Sequence, residues 1–206
     1  MFKIVFLILI SSILSLANQD KRLIDLEKFL NTLPQKTTTQ KLNSVNFYFN
    51  QIVSAYDSID DINHDEWDTM IDFVLKGRGD CEEYAISKYE ALKLSGIEKN
   101  KLFLMVVKEK IRPSNEFHLV TAYYEDDKNP LILDNLSFKA LPLLRRTDLE
   151  PIMIFDDNVA YRVDSQGKKQ EPITSPFPNI LKNLEKKFHK QLVEKGITEP
   201  RLSHRE

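Results

Sequence analysis

The sequence predicts an α+β protein, with helices in its first half and an antiparallel sheet in its second half. Up to Gly96 the apolar residues recur at the spacing of amphipathic helices. Beyond Gly96 they form short runs separated by turn-forming residues, which is typical of strands. With 42% hydrophobic and 29% charged residues among 206, the chain can bury the core of one globular domain. Its net charge of −2, without a dominant basic face, gives no reason to expect a nucleic-acid partner.

The first residues indicate a secretory signal peptide. Lys3 precedes an apolar run that ends near Leu14, and the small residues Ser15 and Ala17 follow where a signal peptidase reads the chain. This run is shorter than the roughly 20 apolar residues of a membrane helix. We therefore expect residues 1–17 to be removed during export, leaving a chain with no stable membrane insertion. An uncleaved N-terminal anchor is the alternative.

Four helices are predicted in the first half: Asp20–Leu33, Lys41–Tyr56, a segment from Asp65 to Leu75, and Cys81–Leu94. Pro34 ends the first helix because proline cannot continue the backbone hydrogen bonding. Asp65 is the predicted N-cap of the third helix. Gly77 and Gly79 then allow a tight turn before the fourth helix begins.

The second half contains predicted strands and a C-terminal helix. The strands are Leu102–Lys108, Phe117–Tyr124, Pro130–Leu136, Met153–Phe155 and Val159–Val163, and the helix is about Ile180–Lys195. We expect residues 18–165 to form the main domain. Residues 166–206 are expected to form a Pro-rich segment followed by the charged helix.

The segment GRGDCEEYAISKYEAL contains the only cysteine of the chain, Cys81, at the predicted start of the fourth helix. No internal disulfide can form, so in an oxidising compartment the thiol is inert, paired with another molecule, or used for chemistry. A helix N-terminus stabilises a thiolate, the nucleophilic form of cysteine. The acids Asp80, Glu82 and Glu83 oppose that charge unless something neutralises it. A buried inert thiol beside an ordinary acidic helix start is the alternative.

A cysteine nucleophile needs a base, and of the four histidines only His118 lies in an apolar strand, FHLVTAYY. Asp134 is the one acid embedded in the next strand, PLILDNL, and can orient the imidazole. If a tight turn joins the two strands, Asp134 lies opposite His118, with Cβ atoms about 4.5–5.5 Å apart. A longer turn around Asn129 shifts this register, and the sequence leaves both open. A structural histidine and an ordinary turn are the alternatives.

These three blocks resemble those of the bacterial transglutaminase-like cysteine proteinases, the LapG-type periplasmic proteases, over about residues 45–163. The intervals of 37 residues from Cys81 to His118 and 16 residues from His118 to Asp134 agree with the family pattern to within one residue. The resemblance implies a papain/transglutaminase-like fold, with the nucleophile at a helix start packed on an antiparallel sheet. It also implies a Cys-His-Asp triad at these positions and a periplasmic location.

The resemblance further implies calcium bound beside the nucleophile, with Asp80, Glu82 and Glu83 as oxygen ligands. A bound dication would offset the negative charge next to the thiolate. The family usually has Asp where Glu83 stands. Asp65 and Asp68 are weaker candidates for completing the site.

The expected function, again by resemblance, is a cysteine endopeptidase that cleaves the N-terminal region of a large surface adhesin at adjacent alanines. Cleavage would release the adhesin and disperse biofilm. A LapD-type inner-membrane cyclic-di-GMP receptor would sequester the protease as its inhibitor. The alternatives are a transglutaminase or amide acyltransferase on the same triad, or a non-catalytic periplasmic binding module.

Overall fold

The computed structural model describes residues 21–55, 67–110 and 117–200. The helices in these ranges are α1 (residues 21–32), α2 (Thr38–Phe49), α3 (Met70–Lys76), α4 (Cys81–Leu94) and α5 (Phe177–Glu194). The strands are β1 (Val53–Ser54), β2 (Arg78–Gly79), β3 (Leu102–Glu109), β4 (Phe117–Tyr123), β5 (Leu131–Asp134), β6 (Ser137–Pro142), β7 (Leu149–Phe155), β8 (Ala160–Val163) and β9 (Lys169–Ile173). The expected signal peptide and the expected N-cap Asp65 lie outside the described residues.

The strands β3 to β9 form one antiparallel sheet in the order β6-β5-β4-β3-β7-β8-β9. A short parallel pair, β1 with β2, lies apart from this sheet. The helices precede the sheet along the chain, apart from α5, so the predicted α+β class is confirmed. The predicted bounds of α4 are confirmed as well.

Several elements differ from their predicted bounds. Helix α2 ends at Phe49 and not at Tyr56, because the Asn50 side chain bonds across to the sheet. Helix α3 is capped by the Thr69 hydroxyl, which accepts the Asp72 N–H. The edge strands β6 and β9 were not expected at all, because each contains proline and mostly exposed or half-exposed residues.

Helix α4 is the central helix of the molecule. Every residue from Glu83 to Leu92 is buried, because α2 and α3 cover one side of the helix and the sheet covers the other. Its apolar side chains join those of the other helices and of one sheet face in a single core cluster. The opposite face of the sheet has its own apolar cluster, which includes Met105, Val120 and Ile154.

Helix α5 packs on α3 through a stripe of apolar residues. Its buried residues are Pro178, Leu181, Leu184, Phe188 and Leu192. Gln191 joins it to α3 twice, since its Oε1 accepts the Thr69 hydroxyl at 2.5 Å and its Nε2 donates to Asp72 at 2.9 Å. No helix in the described part of the chain is both long and apolar enough to cross a bilayer.

Candidate active site

The start of α4 is shaped by a tight connection from α3. Gly77 ends α3 in the left-handed conformation, with φ of 68°, which favours glycine. At Gly79 a Cβ atom would lie 2.7 Å from the Phe73 ring, so only glycine fits there. Asp80 then caps the helix by accepting the Glu82 N–H at 3.4 Å. These local devices place Cys81 at the first position of α4.

Cys81 lies between the acidic helix start and strand β4. Its thiol donates to Glu82 Oε2 at 2.9 Å. Burial raises the pKa of Cys81 well above its ordinary value, and the Glu82 carboxylate raises it further. The backbone N–H of Leu119 bonds to the sulfur and acts in the opposite direction. Burial of the sulfur, together with the carboxylate that it faces, therefore outweighs the expected stabilisation of a thiolate in this arrangement.

His118 lies on β4, directly before the residue whose N–H reaches the sulfur, and it is 6% exposed. Its Nε2 forms a 2.8 Å hydrogen bond with Asp134 Oδ1. Its other ring nitrogen, Nδ1, lies 3.8 Å from Glu109 Oε1. Asp134 thus engages Nε2 and does not engage Nδ1.

The strand register differs by two residues from the tight-turn expectation. The ladder between β4 and β5 pairs Thr121 with Leu133 and Tyr123 with Leu131. Since side chains alternate between faces with a period of two, this shift keeps His118 and Asp134 on the same face. The two side chains meet diagonally, and the longer turn that the sequence left open is the one the structure has.

Asp134 is buried and carries a full set of partners. Besides His118, its carboxylate accepts the Leu136 N–H at 3.0 Å and the Arg146 Nη2–H at 2.6 Å. Burial alone would raise the pKa of Asp134, but the hydrogen bond and charge of His118 and the charge of Arg146 outweigh burial. They hold the pKa well below its ordinary value, so Asp134 is ionised at neutral pH.

Arg146 is the site residue that sequence reasoning missed. It is 6% exposed and bridges Asp134 to Asp148, whose Oδ2 accepts Nη2–H at 2.6 Å. In the sequence it follows another arginine and precedes a predicted strand, so nothing distinguishes it from a surface residue. Only the tertiary contact with Asp134 identifies it.

Two further contacts hold the elements of the site together. The Thr121 hydroxyl of β4 donates to the Ala85 carbonyl of α4 at 2.8 Å, which fixes the histidine strand against the cysteine helix. Asn50 donates from Nδ2 to the carbonyls of Asp134 and Ser137 at 2.8 and 3.0 Å, which fixes the end of β5.

The acids around Cys81 divide into two groups. One ligand atom each from Asp80, Cys81 and Glu82 lies within 4.8 Å of the others, so these residues could hold a metal ion. Glu83 is bonded to the backbone: its two oxygens accept the N–H groups of Asp68 and Asp80 at 3.2 and 3.1 Å. Burial, followed by the nearby Asp80, raises the pKa of Glu83 to about 8.

Lys88 lies in the middle of α4 and is fully buried. Its ammonium is 5.5 Å from the centre of the Tyr84 ring and has no hydrogen-bond partner among the described residues. Burial lowers the pKa of Lys88 to about 7, although the charge of Asp134 acts in the opposite direction.

A groove of about 360 Å³ opens beside His118. We call it the Trp67 groove. Its lining residues are Trp67, Glu82, Val106, Phe117, His118, Leu119, Ile152, Met153, Phe177 and Ile180. The groove thus adjoins both the candidate base and the acid bonded to the thiol.

Comparison with known families identifies the kind of site this is. A family model described as bacterial transglutaminase-like cysteine proteinase matches residues 23–153, which include all three expected triad positions. The chain belongs to the bacterial transglutaminase-like cysteine proteinases. It is thus a member of a hydrolase family, and the transglutaminase-like fold class and the family resemblance seen in the sequence are confirmed.

Solved structures of LapG from Legionella pneumophila are similar to this proteinase. Calcium-bound LapG is 28% identical with a TM-score of 0.66, and the match covers 78% of this chain and 85% of LapG. EGTA-treated LapG is 27% identical with a TM-score of 0.72, and the match covers 85% of this chain and 94% of LapG. A comparison with curated proteins yields no match.

Proposed function

We propose that this chain is a periplasmic cysteine endopeptidase that cleaves the N-terminal region of a large surface adhesin at adjacent alanines. The observation that supports the proposal most directly is the meeting of three groups in one place. They are the sulfur of Cys81, the backbone of β4 and the 2.8 Å pair of His118 with Asp134. The substrate, and the release of the adhesin with dispersal of biofilm, follow from the likeness to LapG.

In the proposed reaction the Cys81 sulfur bonds to the carbonyl carbon of the scissile peptide, and its proton passes to His118 Nδ1. The Cys81 backbone N–H, at the start of α4, donates to the developing oxyanion. His118 then protonates the departing amine as the carbon–nitrogen bond breaks. Water then attacks the thioester carbon while His118 takes one of its protons. The carbon–sulfur bond breaks, and His118 returns that proton to the sulfur, which releases the product acid and restores the thiol. Asp134 holds the imidazole in one tautomer, and its carboxylate stabilises the positive charge of the imidazolium.

We also propose that Asp80 and Glu82 hold a calcium ion, because they offer hard carboxylate oxygens close together at a half-buried helix start. Calcium takes about 6–8 oxygen ligands, so backbone carbonyls and water would complete the shell. When bound, the ion would supply positive charge that offsets the acids beside the thiol. Glu83 is the third proposed ligand, and its two oxygens also accept the backbone N–H groups of Asp68 and Asp80.

The proposed location and partners rest on the same likeness. A mature chain beginning at residue 18 would act in the periplasm. There a LapD-type inner-membrane receptor would sequester it when cyclic-di-GMP is abundant. Within the chain, residues 18–165 would form the main protease domain, and residues 166–206 a C-terminal segment that adds β9 and α5 to the same sheet and core.

The test is cleavage of an adhesin N-terminal fragment by the mature chain with calcium present. Cys81→Ala should abolish cleavage and keep the circular dichroism spectrum. Val193→Ala, at a position 82% exposed on α5, should cleave like the wild type. Cleavage that persists in Cys81→Ala contradicts the assigned nucleophile.

The alternatives predict different products. A transglutaminase would join an amine donor to a glutamine-containing acceptor and so give cross-linked bands. A non-catalytic module would leave the fragment intact, and its Cys81 would react with a thiol probe no faster than a model thiol.

A further inference from the structure

We infer that the Trp67 groove binds a bulky apolar side chain of the substrate that flanks the scissile alanine pair. We further infer that Ile180 and Phe177 of α5 determine which side chain is accepted. This inference rests on the proposed function, and it adds to the alanine pair a second element of specificity.

The position of the groove makes it part of the substrate path. His118 lines it, and so does Glu82, whose carboxylate accepts the hydrogen bond of the Cys81 thiol. A peptide whose carbonyl reaches that sulfur must therefore pass the mouth of the groove. A neighbouring side chain of the same peptide is the group nearest to filling it.

The size and lining of the groove select the kind of side chain. Its 360 Å³ lies within the range of about 300–1,000 Å³ typical of small-molecule pockets, and two alanine methyl groups would leave most of it empty. Apart from Glu82 and His118, the lining side chains are apolar. On its rim Phe117 is 65% and Ile180 41% exposed, which leaves apolar surface for a substrate to cover. A leucine or phenylalanine side chain fits these surroundings.

One wall of the groove is preformed by aromatic stacking. Phe177 stacks on Trp67 at 5.6 Å and on Phe155 at 5.1 Å between ring centroids. The helix that carries Phe177 is fastened to α4 by Lys93, which pairs with Glu185 at 2.7 Å. Binding an apolar side chain against such a wall requires little ordering of the protein.

This wall comes from a part of the chain outside the family match. The match ends at residue 153, whereas Phe177 and Ile180 belong to α5. The catalytic residues therefore lie in the shared part of the sequence, and this side of the groove is supplied by the segment that follows it. Preference for the flanking side chain is accordingly expected to depend on α5, which lies outside the sequence that defines the family.

The first experiment measures cleavage of peptides that carry an alanine pair. Each of the three positions on either side of the pair is occupied in turn by Ala, Leu, Phe or Asp. At one position, kcat/KM for Leu or Phe should exceed that for Ala by about tenfold or more. Ile180→Glu should lower the ratio of kcat/KM for the Leu or Phe peptide to that for the Ala peptide to near one. Val193→Glu, on the same helix and away from the groove, should retain the preference.

The second experiment measures occupancy of the groove without cleavage. Trp67 is the only tryptophan of the chain, so its fluorescence reports the groove directly. In Cys81→Ala protein, each peptide is titrated and its Kd is read from the change in Trp67 fluorescence. The Kd of the Leu or Phe peptide should be at least about tenfold lower than that of the Ala peptide. Adding Ile180→Glu should remove the difference.

The outcomes separate this inference from the proposed function. If the parent peptide is cleaved but no position prefers an apolar residue, or if Ile180→Glu keeps the preference, the groove assignment is overturned and the protease assignment stands. If no peptide is cleaved, the protease assignment fails. The fluorescence titration then decides the groove assignment alone, since equal affinities for the Leu and Ala peptides overturn it.

Discussion

Replacing Lys88 with methionine should stabilise the protein at neutral and acidic pH. Lys88 is fully buried without a hydrogen-bond partner in the described part of the chain, and burial lowers its pKa from 10.5 to about 7. Methionine has a similar length and no charge, so it removes the cost of placing an ammonium in the core.

The magnitude follows from proton linkage. Because the folded pKa lies below the unfolded value, the unfolded chain binds more protons between about pH 7 and pH 10.5. The free energy of unfolding of the wild type therefore rises with pH across this window. At about 1.4 kcal/mol for each pH unit, the rise attributable to Lys88 is at most about 5 kcal/mol. Lys88→Met lacks this rise, so the amount by which its unfolding free energy exceeds that of the wild type is largest near pH 6 and shrinks toward pH 10.5.

The assay is urea denaturation of the wild type and Lys88→Met at several pH values from 6 to 10. Subtracting the unfolding free energy of the wild type from that of Lys88→Met at each pH cancels the titration of groups that both proteins contain. Lys182→Met, at an exposed position on α5, should stay within about 0.5 kcal/mol of the wild type throughout. Parallel curves for Lys88→Met and the wild type between pH 7 and pH 10 would refute the reasoning about the buried ammonium.

Three other changes test the site and its support. Asp134→Asn should abolish cleavage and cost about 3–5 kcal/mol at neutral pH, because Arg146 loses a buried charge partner. The pKa of Asp134 lies below its ordinary value of 3.8. The difference in unfolding free energy between the wild type and Asp134→Asn should therefore shrink below about pH 4. Calcium should raise the unfolding free energy of the wild type by about 2.7 kcal/mol at one hundred times its Kd. EGTA should reverse the rise and Glu82→Gln should reduce it, whereas an equal rise in both proteins contradicts the ligand assignment. Thr69→Ala removes the cap of α3 and its bond to Gln191, and should cost about 1–2 kcal/mol in urea denaturation, whereas a cost near zero means that neither bond contributes.

The parts of the fold that sequence reasoning predicted are those set by local signals. The glycines before Asp80 and the capping acids act within a few residues, and they placed the start of α4 correctly. The elements it missed depend on distant partners. Helix α2 was predicted too long because its last turns are replaced by the contact of Asn50 with the end of β5.

The same distinction applies to the candidate site. Cys81, His118 and Asp134 stand in recognisable local patterns, and the structure brings His118 and Asp134 into contact. Arg146 has no local signature, because its burial exists only once β5 has folded beside it. The hydrogen bond from the Cys81 thiol to Glu82 could not be predicted either, because the sequence of two adjacent helical residues does not determine their side-chain rotamers.

The attachment of α5 has a consequence for anyone who shortens this chain. A version that stops near residue 153, where the shared family sequence ends, would lose Leu181, Leu184 and Phe188 from the interior and uncover their apolar neighbours on α3 and α4. Such a fragment would retain every candidate catalytic side chain and still be prone to aggregate. The segment after residue 153, which also completes β7 and supplies β8 and β9, is therefore needed for a stable preparation although it holds no candidate catalytic side chain.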